Sequence, residues 1–369
     1  MNNNSHTYLL AYLVPVTVLL AFFTYFIYFA NQDLDNSLPK IGTTSNEQPW
    51  TVENSFNQND FARTHLSLNS TLKTDPNNIE ALLLKAQTLA QEASLTLREK
   101  ELGDEARSIA FQVLKLDPNN VRALTLIGYS YEIQENYPAA HKYYEQALLL
   151  DPNNSEVHSQ NGHAYQLEGK TIEAESSFGK AFAIDSTDLL ANFGLAKIYA
   201  NSGKLEEAKT LFLFVGENSL NIRQSAEGYH SAGIITEFLL KQVGSSELTP
   251  VQELAKKAIQ KDPSYPQAYV LLAKTLFFEA TTVKSTDEKQ KLITSSFTNI
   301  YKAIELNPKL AYAHLELATQ MFILNEIKNT QLILKNLPKI IEEDISLNSN
   351  EKDTLNKVVA NLQNNISKK

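Results

Sequence analysis

Cysteine is missing from all 369 residues. Disulfides, thiolate nucleophiles, cysteine-ligated zinc and a cysteine-linked lipid anchor are therefore excluded together. Such a chain fits a compartment outside the reducing cytoplasm. Basic residues are the second shortage, with 33 Lys and Arg against 42 Asp and Glu and a formal net charge of −9. With histidine neutral, the first charged side chain is Asp33, so the whole charge lies beyond residue 32. Proteins that bind nucleic acid draw affinity from Lys and Arg against phosphates, so no nucleic-acid partner is expected.

Catalytic signatures are missing as well. The chain holds no HExxH, no GxSxG, no phosphate loop and no paired-carboxylate motif. His158 and His163 share a helix but stand five residues apart, about 140° around its axis, which is poor geometry for a shared metal. The expectation is a protein that is not an enzyme, with no metal, no cofactor and no small-molecule substrate. Asn69, Asn153 and Asn365 open glycosylation-type triplets, which an Asn-rich chain also produces by chance.

What is present begins with an uncharged run, Tyr8–Ala30, behind a short polar tail at 1–7. At 1.5 Å per residue the run reaches about 35 Å, enough for a bilayer core of about 30 Å. It is too long for the apolar part of a signal peptide, and a cut after Ala30 would leave Tyr28 at the third residue before it. Tyrosines 8, 12, 25 and 28 fall near the two ends, where amphipathic rings favour the headgroup zone. A single transmembrane helix at 8–30 is the expectation. Its flanks carry only Lys40, so the positive-inside rule says little. The polar tail, the acidic residues that follow and the lack of cysteine favour an extracytoplasmic body over one facing the cytoplasm. Residues 31–55 are polar, broken by Pro39 and Pro49, and read as a linker that holds Trp50, the one tryptophan.

Beyond the linker the chain repeats itself. "LDPNN" at 116–120 is restated letter for letter at 150–154, Pro118 and Pro152 standing 34 residues apart, and Ser186 takes the same place a further 34 on. Between those marks Gly128, Tyr131, Ala140 and Tyr144 align with Gly162, Tyr165, Ala174 and Phe178, and again with Ala196, Tyr199, Ala208 and Phe212. Small residues at the eighth and twentieth places of a 34-residue period let two helices approach closely, while the aromatic places fill the space beside them. Proline stops the second helix, and Asn120 or Asn154 caps the next.

This pattern resembles the tetratricopeptide (TPR) family. The three units over 121–222 keep near-ideal spacing. Pro76, Pro263 and Pro308 mark looser ones at intervals of 42, 77 and 45 residues, which implies insertions between the two helices of a unit. The resemblance implies an all-α fold, a right-handed TPR-type α-solenoid behind the membrane helix. The array would span 56–345, with about seven repeats plus a leading half-repeat. A capping helix and tail would occupy 346–369, with Leu355, Val358, Val359 and Leu362 on one face.

The resemblance also implies a concave groove lined by the first helix of each unit, at its second, fifth, ninth and twelfth places. Carried onto this sequence, those places give Arg122, Thr125, Tyr129, His163, Phe193 and Lys197, and towards the C-terminus Val270, Lys274, Phe277, Tyr312, Leu315 and Phe322. Thr125 and Tyr129 stand where the family's carboxylate clamp has Lys and Asn, so a chaperone-tail ligand is not expected. The aromatic C-terminal half points to an apolar ligand face. The expected function is a membrane-anchored scaffold that binds a protein or peptide partner in cell-envelope assembly. The alternative is an extracytoplasmic holdase-type chaperone or translocon accessory.

Overall fold

The computed structural model describes residues 61–95 and 99–367, which form sixteen helices and no strand. In chain order they are α1 (Phe61–Thr74), α2 (Ile79–Leu95), α3 (Glu99–Leu116), α4 (Val121–Ile133), α5 (Tyr137–Leu150), α6 (Ser155–Leu167), α7 (Thr171–Ile184) and α8 (Leu189–Asn201). There follow α9 (Leu205–Asn218), α10 (Ile222–Gln242), α11 (Thr249–Lys261), α12 (Pro266–Thr282), α13 (Thr286–Leu306), α14 (Ala311–Ile323), α15 (Ile327–Glu343) and α16 (Ser349–Ile366). The expected tail, membrane span at Tyr8–Ala30 and linker with Trp50 lie outside the described residues. Among the described residues no helix is long and apolar enough to cross a membrane.

The repeated letters act locally. In LDPNN the Asp117 carboxylate accepts from the Asn119 amide at 3.3 Å and the Asn120 side chain at 2.9 Å, which fixes the turn. Asn120 then accepts from the Ala123 amide at 3.0 Å, capping α4, and Asn154 does the same for α6 with the Val157 amide at 3.1 Å. Asp188 takes the equivalent place before α8 and accepts from the Ala191 amide at 2.9 Å. The tight turn inside a pair needs one residue with φ near +60° to +80°. Gly169 and Gly203 supply it without strain, at φ 82 each, whereas Glu135 at φ 58 and Asn325 at φ 65 hold a conformation that costs a residue with a side chain about 1 kcal/mol.

Helices α2 to α15 form seven successive pairs, with α1 ahead of them and α16 behind. Their contact is set by small residues under rings. A Cβ on Gly128 would stand 2.6 Å from the ring of Tyr144, and one on Gly162 2.9 Å from the ring of Phe178; both rings are fully buried. Ala140, Ala174 and Ala208 are also fully buried. The apolar core is accordingly a chain of clusters shared by neighbouring helices, as expected of a stack in which each unit touches only the next. The inserted residues lengthen helices: α2 and α12 have 17 residues and α13 has 21, against 13 or 14 in α4 to α9.

First helices of successive pairs pack directly on one another at all joints but one, whereas second helices make no comparable contact with each other. The stack therefore curves towards the row α2, α4, α6, α8, α10, α12 and α14, which is its inner side. At the C-terminal end α16 buries Leu355, Val359 and Ile366 against α14 and α15. Val358 departs from the expected face at 42% exposure, because it lies about 60° from Leu355 around the helix, on the edge of the apolar stripe.

Candidate functional site

The inner row is tied together by charges reaching from one first helix to the next. Arg122 on α4 donates back to both carboxylate oxygens of Glu80 on α2, at 2.9 and 2.8 Å. The His163 ring on α6 meets Glu132 on α4, with Nδ1 2.7 Å from Oε1. Lys274 on α12 lies 3.0 Å from Glu237 on α10, which also holds Lys241 at 2.5 Å. Glu132 is buried, and its second oxygen accepts from the Tyr144 hydroxyl at 2.9 Å. Burial, with that carboxylate alongside, pushes the Tyr144 hydroxyl well above the usual tyrosine range. Further along the row burial pushes the carboxyl of Glu156 up, with Arg122 opposing, and pushes that of Glu316 up, with the Gln320 amide opposing.

The expected groove residues divide into three groups. Arg122, His163, Lys197, Lys274 and Tyr312 reach the inner surface, and Tyr312 is 44% exposed. Phe193 and Tyr129 are half-buried in joints. Phe193 packs edge-on against Phe212 with ring centres 5.6 Å apart, under the Lys197 ammonium at 4.4 Å. Tyr129 packs on the α2–α3 cluster, where burial raises its hydroxyl against a hydrogen bond with Ser94. Thr125 is buried and donates to the Val121 carbonyl at 2.9 Å. Of the rest, Phe277 belongs to the core and Val270, Leu315 and Phe322 are half-buried beside it. Phe277 is only 5% exposed and packs with Ala280 and Ile293, which corrects its expected place on the ligand face. The long helices α12 and α13 pack along their length, so the twelfth place of this unit meets α13 instead of solvent. Val270 packs on the α12–α14 cluster, and Leu315 and Phe322 on the cluster that closes the C-terminal end.

Several residues of the inner row were missed. Glu80 and Glu156 occupy the second place of their units and Glu132 the twelfth, so the register that gave Arg122 would have found them. Helix α10 was passed over because no proline punctuates the stretch from Ser186 to Pro263, although Gly228, Ala232 and Gly233 mark a closely packed helix. It contributes Glu227, Glu237, Ile234 and Phe238. Among the described residues no group of three or more His, Asp or Glu is placed to hold a metal ion.

An all-helical stack of paired helices with a residue-lined inner row is a repeat solenoid, and several solved structures are similar to it. A chain of the APC/C hetero-tetramer Cut9–Hcn1 superposes with a TM-score of 0.55 at 13% identity over 73% of this chain. This chain spans about half, 48%, of that protein's length. PilF of Pseudomonas aeruginosa aligns with a TM-score of 0.48 at 15% identity, covering 60% of this chain and 91% of PilF. Yeast Tom70 aligns with a TM-score of 0.45 at 14% identity, covering 89% of this chain and 67% of Tom70. No curated protein sequence matches the chain. The family model of the tetratricopeptide repeat matches residues 121–154, the unit that opens after the first LDPNN. Residues 121–154 match a tetratricopeptide repeat, and the described stack of helix pairs has the fold of a repeat solenoid.

Proposed function

We propose that the chain holds a segment of a partner protein along the inner row of first helices and presents it at a membrane, to which Tyr8–Ala30 anchors it. The observation that supports this reading is the inner row itself. Side chains at matching places of successive units, Glu80, Arg122 and Glu156 at the second and His163, Lys197 and Lys274 at the ninth, lie along the row of first helices. No turnover is required of such a site, and binding there assembles partners by proximity. The body is proposed to lie outside the cytoplasm, on the charge and cysteine arguments above, in the service of envelope assembly.

Photo-crosslinking tests the groove. A reactive residue at Arg122 or Tyr312, on the inner row, is expected to trap one defined partner in intact cells, and one at Lys142, on the second helix α5, is expected to trap none. Equal trapping from both sides removes the groove reading, and a broad spread of unfolded clients favours the holdase. Alkaline extraction and protease access to residues 61–367 in intact and opened cells test anchor and side; a body released by extraction, or shielded after the outer layers are opened, refutes that part.

A further inference from the structure

One joint of the stack is irregular, that between α8 and α10, where the first helices pack on each other less than at every other joint of the described residues. The cause lies in α9. Gly228 of α10 rests on Gly216 of α9 so closely that a Cβ on Gly228 would stand 2.6 Å from the Gly216 nitrogen and 2.7 Å from the Phe212 carbonyl oxygen. Ser225 reinforces the contact by donating to the Gly216 carbonyl at 2.5 Å. Backbone against backbone draws α10 in to α9 and away from α8. The inner row is spread at this joint, the wedge between α8 and α10, whose floor is the cluster of Phe193 and Ala196 of α8 and Phe212 of α9 that reaches Ala232 and Ile235 of α10.

The walls of this wedge are chemically distinct. At about 100° per residue, Ile234 and Phe238 lie within about 20° of Glu227 around α10, and Glu227 is coupled electrostatically to Lys197 across the joint on α8. Ile234 is 47% and Phe238 52% exposed, so two large apolar side chains on this face are only about half covered. Lys197 differs from the other cations of the row. Arg122, Lys241 and Lys274 all close ion pairs. Among the described residues neither Lys197 nor Glu227 meets an opposite charge at ion-pair distance, although each has lost water: burial holds the Lys197 ammonium below its ordinary range and pushes the Glu227 carboxyl up. Opposite charges that face each other, partly desolvated and unjoined, are complementary to a ligand that supplies the missing partner of each.

We infer that this wedge is the anchoring point of the groove. Its occupant is a protein segment with an apolar side chain lodged against Ile234 and Phe238, and with one acidic and one basic side chain set against Lys197 and Glu227 respectively. The inference rests on the groove reading above and deepens it by naming the ligand's chemistry and the place where it is held.

A random dodecapeptide library displayed on phage and selected against the full-length chain tests it. Enriched peptides are expected to carry an apolar residue within a few positions of an acid and a base. Their affinity should fall by about tenfold or more with Phe238→Ala and with Lys197→Glu. The double swap Lys197→Glu with Glu227→Lys should stay weak, because each ligand charge then meets its own sign. The unfolding midpoint of each variant is measured alongside, and affinities are compared at a temperature where all of them are folded. Recovery of affinity in the double swap would show that the two residues serve only each other, and would overturn the inference. Peptides that lose affinity with Arg122→Ala or Tyr312→Ala but ignore Phe238→Ala and Lys197→Glu overturn it while leaving the groove reading intact. Peptides indifferent to all four single variants, or no enrichment at all, overturn both.

Discussion

Phe178 carries the joint between the third and fourth pairs, and its removal should be repaired by a change that is otherwise harmful. The ring is fully buried on α7, between Gly162 of its own pair and Gly194 of the next. Phe178→Ala empties that site and should cost about 3–5 kcal/mol. Glycine inside a helix is itself unfavourable by about 1 kcal/mol relative to alanine, so Gly194 is kept for the ring. In the natural chain Gly194→Ala would drive a methyl into the ring and cost about 1–3 kcal/mol. With Phe178→Ala already present, the same methyl enters vacated space and should restore about 1 kcal/mol. The coupling between the two sites is then about 2–4 kcal/mol, with a change of sign. Urea unfolding of the four proteins of the cycle, followed by helical circular dichroism, measures it. If Gly194→Ala costs the same in both backgrounds, to within about 0.5 kcal/mol, the ring does not set the spacing of these helices and the packing account fails.

Other consequences are equally direct. Asn120→Ala and Asn154→Ala each delete one capping hydrogen bond and should each cost about 1 kcal/mol in urea unfolding; losses below about 0.3 kcal/mol would deny the caps a role. Burial beside Tyr265, whose hydroxyl lies 3.3 Å from Nδ1, lowers His230 to about 4. Its proton therefore prefers the unfolded chain, whose histidine titrates near the ordinary 6.5. The stability it contributes is whole above about pH 6.5 and is lost as pH falls towards 4, by up to about 3 kcal/mol. His230→Phe should flatten that part of the pH–stability curve relative to the natural chain, and an unchanged slope would refute the assignment. Phe277→Ala should cost about 3–5 kcal/mol of stability and leave peptide affinity at the groove unaltered; weakened binding in a folded variant would return Phe277 to the ligand face.

The parts of this molecule that could be read from its letters are those where one local problem recurs. Stopping a helix, turning and capping the next needs the same few residues each time, so LDPNN disclosed the period, and the spacing of Gly128, Tyr144, Gly162 and Phe178 disclosed the contact between helices. The inner surface was only partly legible, because its residues are chosen by neighbours about forty positions away. Arg122 could be placed at a groove position, but that it reaches Glu80 depends on how two units stack. Phe277 was misplaced for a related reason: whether the twelfth place of a first helix is covered depends on the helix packed beside it, and here α13 covers it with Ile293. Helix α10 was hidden by the loss of its punctuating proline, although the cap survived. Asn221 accepts from the Gln224 amide at 3.0 Å, as Asn120 does from Ala123. That loss coincides with the joint where Gly216 meets Gly228 and the inner row opens. A perfectly regular stack offers every ligand the same surface at each step. Selectivity has to come from a departure in the repeat, and this joint, the proposed anchoring point, is such a departure, at the place where the sequence was hardest to read.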